Sequence, residues 1–191
     1  MRIFGIDPGS ERTGYGCIET DGARHSMILC GAIATVSAAA LPDKLLDIHT
    51  RLAGLLRRCG PQAVAIESVF HAVNARSALK LGHARGVAML AAIEAGVPVF
   101  EYAPAEVKRA VVGYGRAEKA QVQHMVKLLL GLASAPAPND AADALAVAIC
   151  HVHTNGVRRM LDSSAPASAA SRLRRGPRSR ATSWRTFKPA P

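Results

Sequence analysis

Three short stretches of the chain place carboxylates where carboxylates are costly. Asp7 closes the apolar run "RIFGID" and is followed at once by the turn signal Pro8-Gly9-Ser10. Glu67 closes a second apolar run, "AVAIE". Asp140 and Asp143 open "NDAADALAVAI" three residues apart, so they occupy neighbouring positions on one helix face. Asp is depleted in strands and expensive to bury alone. Taken singly, the acids have ordinary explanations: Asp before Pro-Gly starts a turn, and Asp in a first helical turn complements the helix dipole. Neither explains two acids at the ends of two buried strands. If all four converge, each pair of ionised groups about 4 Å apart repels by about 4 kcal/mol at an effective dielectric of about 20. Such a cluster persists only with cations or protons bound to it. Oxygen donors without accompanying Cys or His favour magnesium or manganese, and two such ions roughly 4 Å apart stabilise the attacking and leaving oxygens of phosphodiester hydrolysis.

The elements that must position these acids follow from periodicity. "RIFGID", "TGYGCIET" and "HSMILCGAIATV" read as three strands, and the short first connection requires antiparallel pairing. "LPDKLLDIHTRLAGLLRR" carries Leu45, Ile48, Leu52, Leu55 and Leu56 at helical spacing and is stopped by Cys59-Gly60-Pro61. "AVAIE" is a strand, residues 74–96 a long helix, and "PVFEY" a fifth strand. "PAEVKRAVVG", "EKAQVQHMVKLLLG" and "PNDAADALAVAICHVH" are three further helices. Three meandering strands, then alternating helices and strands, then helices predict an α/β domain: a mixed five-stranded sheet flanked by helices. Its ligand crevice opens at the C-terminal strand ends, where Asp7 and Glu67 stand. The helix over 74–96 has apolar residues for both a core and an interface, with no periodicity to say which face does which.

The 191 residues suit one domain of about 1–160 with a tail over 161–191. No apolar run is long enough for a membrane span, and no signal-peptide core precedes the first strand. Cys17, Cys30, Cys59 and Cys150 lack metal-site or disulfide spacing, which predicts reduced thiols and a cytoplasmic protein. The net charge is +10, and residues 163–191 hold seven Arg/Lys with no Asp/Glu. That tail is rich in Ser, Ala and Pro without an apolar period, so disorder is expected. Its charge suits nucleic acid or simple solubilisation.

"GIDPGSERTGYG", "AIESVF", "NARSALKLGHARGVAML", "VFEYAPAEVKRAVVGYGRAEKAQVQHMV" and "NDAADALAVAI" stand in this order between about Arg2 and His153. Together they resemble the RuvC family of Holliday junction resolvases, members of the ribonuclease H-like superfamily. The resemblance implies Asp7, Glu67, Asp140 and Asp143 as a catalytic, metal-binding set holding two Mg²⁺ per subunit, with Mn²⁺ able to substitute. It implies a homodimer that makes paired symmetric nicks in four-way junction DNA, leaving 5′-phosphate and 3′-hydroxyl ends, and partnership with the branch-migration proteins RuvA and RuvB. Lys108 and Lys119 fall in segments that the family uses to hold phosphates near the metals. A cation there would offset charge on the reacting phosphoryl group, although a lone Lys on a helix is by default a solvated charge. Arg76, Lys80 and Arg85 on the helix after Glu67 are further candidates for DNA contact. Phe70, three residues past Glu67, is either a hydrophobic anchor for its loop or a stacking platform for an unpaired base; the resemblance favours the junction. His71, His83, His124, His151 and His153 read as core or surface residues.

Three other readings fit parts of the chain. "GIDPGS" also resembles the first phosphate loop of actin-like and sugar-kinase ATPases, but such chains need two domains and a second Gly-rich loop, which this chain lacks. A nuclease of structured RNA would use the same acids. A non-catalytic architectural DNA protein would explain the basic tail but not four acids beside DNA.

Overall fold

A computed structural model describes residues 1–68 and 75–164, with side chains as far as Asn155. The 69–74 stretch, with Phe70 and His71, and residues 165–191 of the basic tail lie outside the described residues. The chain divides into two units, Met1–Val157 and Arg158–Pro191; the sheet and the site belong to the first.

The strands are β1 (Arg2–Asp7), β2 (Arg12–Thr20), β3 (His25–Ala34), β4 (Ala63–Glu67) and β5 (Val99–Tyr102). The helices are α1 (Leu41–Cys59), α2 (Ala75–Glu94), α3 (Pro104–Val112), α4 (Lys119–Leu129) and α5 (Asn139–Ser164). The strands form one mixed sheet in the order β3-β2-β1-β4-β5. The central strand β1 runs antiparallel to β2 and parallel to β4, and β4 runs parallel to β5. This is the α/β architecture predicted from the order of apolar periods. Helix α5 is longer than the 138–153 stretch that the periodicity marks.

Because successive side chains on a strand point to opposite faces, the sheet divides its core in two. Phe4 and Ile6 of β1 join Val64 and Ile66 of β4 against α1 and α2. Ile3, Ala63, Ala65 and Tyr102 face the helices α3, α4 and α5. Helix α1 carries Pro42 in its first turn, where a missing N–H costs nothing, and Gly60 in left-handed conformation ends it. It buries Ile48, Leu52 and Leu56 at the spacing read from sequence.

Helix α5 is the most deeply placed element. Ala141, Ala142 and every residue from Ala144 to Cys150 are buried. It can lie this close to the sheet because β1 and β2 present glycines to it. A Cβ on Gly5 would overlap the carbonyl of Ala144, and one on Gly14 would overlap the carbonyl of Asp140. No helix among the described residues is long and apolar enough to cross a membrane, and all four cysteines are free.

Candidate active site

The register of the sheet brings the first two acids together. Ile6 pairs with Ile66 across the parallel β1–β4 ladder, so Asp7 and Glu67 are the next residues on adjacent strands, at an inter-strand spacing of about 4.8 Å. Across the other edge of β1, Asp7 pairs with Gly14. The missing side chain of Gly14 leaves room for the start of α5, whose first turn carries Asp140, with Asp143 just beyond it. All four acids are partly buried.

Their electrostatics are those of a crowded centre. Burial, reinforced by the charges of Glu67 and then Asp143, pushes the Asp7 carboxyl up to about 8. Burial raises Glu67 too, opposed by its hydrogen bond with Asp7 and by the charges of Lys108 and Lys119. The hydrogen bond between them raises Asp7 and lowers Glu67, which makes Asp7 the donor and Glu67 the acceptor. Each helix acid instead meets a cation. Lys119 Nζ donates to Asp143 Oδ2 at 2.6 Å, and Arg12 Nε donates to Asp140 Oδ2 at 2.9 Å. The hydrogen bond to Asp143 raises Lys119 above the usual ammonium range.

Beside the acids lies a cleft of about 200 Å³. Glu67, Asp143, Lys108 and Lys119 supply its polar wall, and Val107 and Val122 its apolar floor. Lys108 reaches it from the middle of α3 and Lys119 from the first residue of α4. The donor set, four carboxylates without histidine or thiol, fits hard divalent cations. Among the described residues no group of three or more acids, histidines or cysteines is arranged to hold a metal ion. Asp7 and Glu67 are bonded to each other, and the helix acids are turned to Arg12 and Lys119. Holding a metal would require these side chains to exchange their present partners for the ion.

The other candidates are dispersed. Arg76 and Lys80 are exposed on the first two turns of α2. Arg85 makes an ion pair with Glu101 of β5, on the face of the sheet away from α5. His151 is buried in contact with Tyr102 and Phe100, and His153 bonds the Ala110 carbonyl through Nδ1. Arg12 escaped the sequence reading. Its only signal is its place in the turn motif, five residues beyond Asp7.

Residues 3–151 match the family model described as crossover junction endodeoxyribonuclease RuvC. The protein of that name from Koribacter versatilis is 56% identical over 156 residues, covering 81% of this chain and 94% of that protein. The one from Trichlorobacter lovleyi is 49% identical over 189 residues, covering 99% of this chain and all of that protein, so its similarity reaches into the basic tail. The structure of Thermus thermophilus RuvC in complex with a Holliday junction substrate superposes with a TM-score of 0.79 at 38% identity, covering 83% of this chain and 96% of that one. The yeast mitochondrial Holliday junction resolvase Ydc2, at 12% identity and a TM-score of 0.59, shares the fold. With the matched region spanning β1 through the buried body of α5, the chain belongs to the RuvC family of crossover junction endodeoxyribonucleases.

Proposed function

We propose that this protein resolves Holliday junctions by divalent-metal-dependent hydrolysis of two phosphodiester bonds, with Asp7, Glu67, Asp140 and Asp143 as the catalytic set. The observation that carries this reading is the meeting of two strand-end acids with two helix acids beside Lys108 and Lys119, in a family whose Thermus member was solved with junction substrate.

The chemistry follows from the residues. Two bound Mg²⁺, or Mn²⁺ in their place, would supply Lewis-acid charge and a more acidic water. Asp7, as its carboxylate, and Glu67 would hold the ions from the strand ends, and Asp140 and Asp143 would hold them from the start of the buried helix α5. Lys108 and Lys119 offset charge that builds on the phosphoryl oxygens in the transition state. The expected products carry 5′-phosphate and 3′-hydroxyl ends.

Action on two strands calls for two copies of the centre, and α2 supports a homodimer. It buries only Ala84, Ala88, Ala91 and Ala92. Its opposite stripe leaves Leu79, Leu90 and Ile93 63%, 51% and 62% exposed, in line with Gly82 and Gly86, whose Cβ positions face open space. Two such stripes crossing on a two-fold axis match a two-fold junction. Phe70, Arg76, Lys80 and Arg85 are the proposed DNA contacts outside the catalytic cleft. A cytoplasmic setting and partnership with RuvA and RuvB follow from the family resemblance.

The deciding experiment incubates the protein with a mobile four-way DNA junction and Mg²⁺ and maps the nicks. Paired, symmetric nicks that a ligase seals are expected. Unpaired degradation of plain duplex, or preferential cutting of structured RNA, would overturn the reading.

A further inference from the structure

Asp140 is held by a residue to which the catalytic reading gives no task. Arg12 Nε donates to Asp140 Oδ2 at 2.9 Å, across 128 residues of sequence. The backbone that carries Arg12 is well anchored. Thr13 Oγ1 donates to the Gly9 carbonyl at 2.7 Å, Thr35 N donates to the Glu11 carbonyl at 3.1 Å, and buried Lys44 donates to Glu11 Oε1 at 2.6 Å. The side chain itself is 51% exposed and that of Asp140 29%. The guanidinium offers five donors in a planar fork, and the contact with Asp140 uses Nε. Its terminal nitrogens have no protein partner among the described residues.

This placement is unlike a structural salt bridge. A half-exposed ion pair contributes little to stability, and the backbone on both sides is fixed without it. Its effect falls on the acidic centre, where a cation on Asp140 offsets the repulsion between it and the neighbouring ionised acids. A divalent ion binding the same carboxylate would offer more charge at shorter range and displace the guanidinium. The freed fork suits a phosphate, which Arg binds in bidentate fashion.

We propose that Arg12 is an internal counter-ion, seated on Asp140 in the metal-free protein and exchanged onto the phosphate backbone of the DNA when a divalent cation takes Asp140, so that metal binding and junction binding favour each other through this side chain. The proposal rests on the reading of Asp140 as a metal ligand. It makes Arg12 a competitor of the metal in the free protein and a DNA contact in the complex.

The test separates those two effects without measuring cleavage. Mn²⁺ is titrated calorimetrically into the full-length protein and into Arg12→Ala, with Arg12→Gln as a second neutral variant and thermal unfolding as the control for folding. Loss of the competing cation should tighten Mn²⁺ binding about two- to fivefold, the range set by an exposed ion pair. Unchanged or weaker Mn²⁺ binding in both variants would overturn the proposal. Junction affinity is then measured in EDTA. Asp140→Asn releases the arginine and should tighten binding several-fold, and adding Arg12→Ala in that background should abolish the gain. A double variant that binds the junction as tightly as Asp140→Asn alone would overturn the DNA half of the exchange. If Asp140→Asn keeps full Mn²⁺ affinity, the catalytic reading fails. If it loses Mn²⁺ while the Arg12 variants behave as wild type, only the counter-ion proposal fails.

Discussion

Asp7 and Glu67 end neighbouring parallel strands and share one hydrogen bond, with the proton on Asp7. Folding raises the Asp7 pKa from 3.8 to about 8, first through burial and then through the charge of Glu67. The stabilisation of the protonated form is fully present below the unfolded value and is lost as pH rises through the folded one. In EDTA, the melting temperature should therefore fall as pH rises from about 5 to about 8, and Asp7→Asn should flatten that slope. At the upper end the variant should be the more stable protein, with Tm moving about 2–4 °C per kcal/mol in a chain of this size. Thermal unfolding of both proteins across a pH series checks this, and parallel slopes would return Asp7 to an ordinary surface acid.

Metal binding should expel the same proton. At about pH 7, Mg²⁺ binding should release up to one proton per site, and Mg²⁺ affinity should rise with pH and level off above about 8. Calorimetry in buffers of different ionisation enthalpy reads the proton directly. Ca²⁺, with looser and larger coordination, should support junction binding without cutting.

Asp7→Asn, Glu67→Gln and Asp140→Asn should each abolish nicking while leaving junction binding largely intact. The loss should exceed the roughly 10–100-fold typical of removing an outer-sphere partner of a metal ligand. Nicking rates at saturating Mg²⁺, alongside gel-shift affinities in Ca²⁺, decide the matter; wild-type cutting by any of the three would remove that acid from the catalytic set.

Lys119→Ala should separate catalysis from stability. Its pair with Asp143 is more than half exposed on the lysine side, so the fold should lose no more than about 1 kcal/mol. Cutting should slow by about 10²–10³, the range for losing one electrostatic stabiliser of a transition state. Single-turnover rates and denaturant melts on the same variant test the two halves.

Gly14→Ala should damage the site without touching an acid. Its new Cβ would meet the Asp140 backbone, and relief by shifting α5 costs about 1–3 kcal/mol in a packed interior. Both stability and Mg²⁺ affinity should fall, whereas Gly86→Ala on the open side of α2 should leave Mg²⁺ affinity unchanged.

The strand-end acids were legible in sequence because apolar runs that stop on a carboxylate are unusual, and the five strands and most helix limits followed from periods of two and 3.6. Less could be read where tertiary contact decides. Gly5 and Gly14 look like ordinary strand and turn glycines until α5 is seen lying on them. Helix α2 is apolar on two sides, so periodicity could not say that its alanines face the sheet while Leu79, Leu90 and Ile93 face outward. Arg12 and Arg85 are both basic residues inside matching motifs; only the fold pairs one with Asp140 and the other with Glu101. Phe70 and the tail beyond Ser164 remain readings of sequence.

Asp140 and Asp143 stand at the start of a helix whose next two turns are almost wholly shielded from water. Local opening reaches exposed, weakly packed segments first and shielded core segments last. The backbone of α5 from Ala144 to Cys150 belongs to the second class, and the two acids are carried at its end. Loss of their spacing from Asp7 should therefore come with the opening of that shielded core rather than before it, and activity remaining after a heat pulse should track the molecules that are still folded.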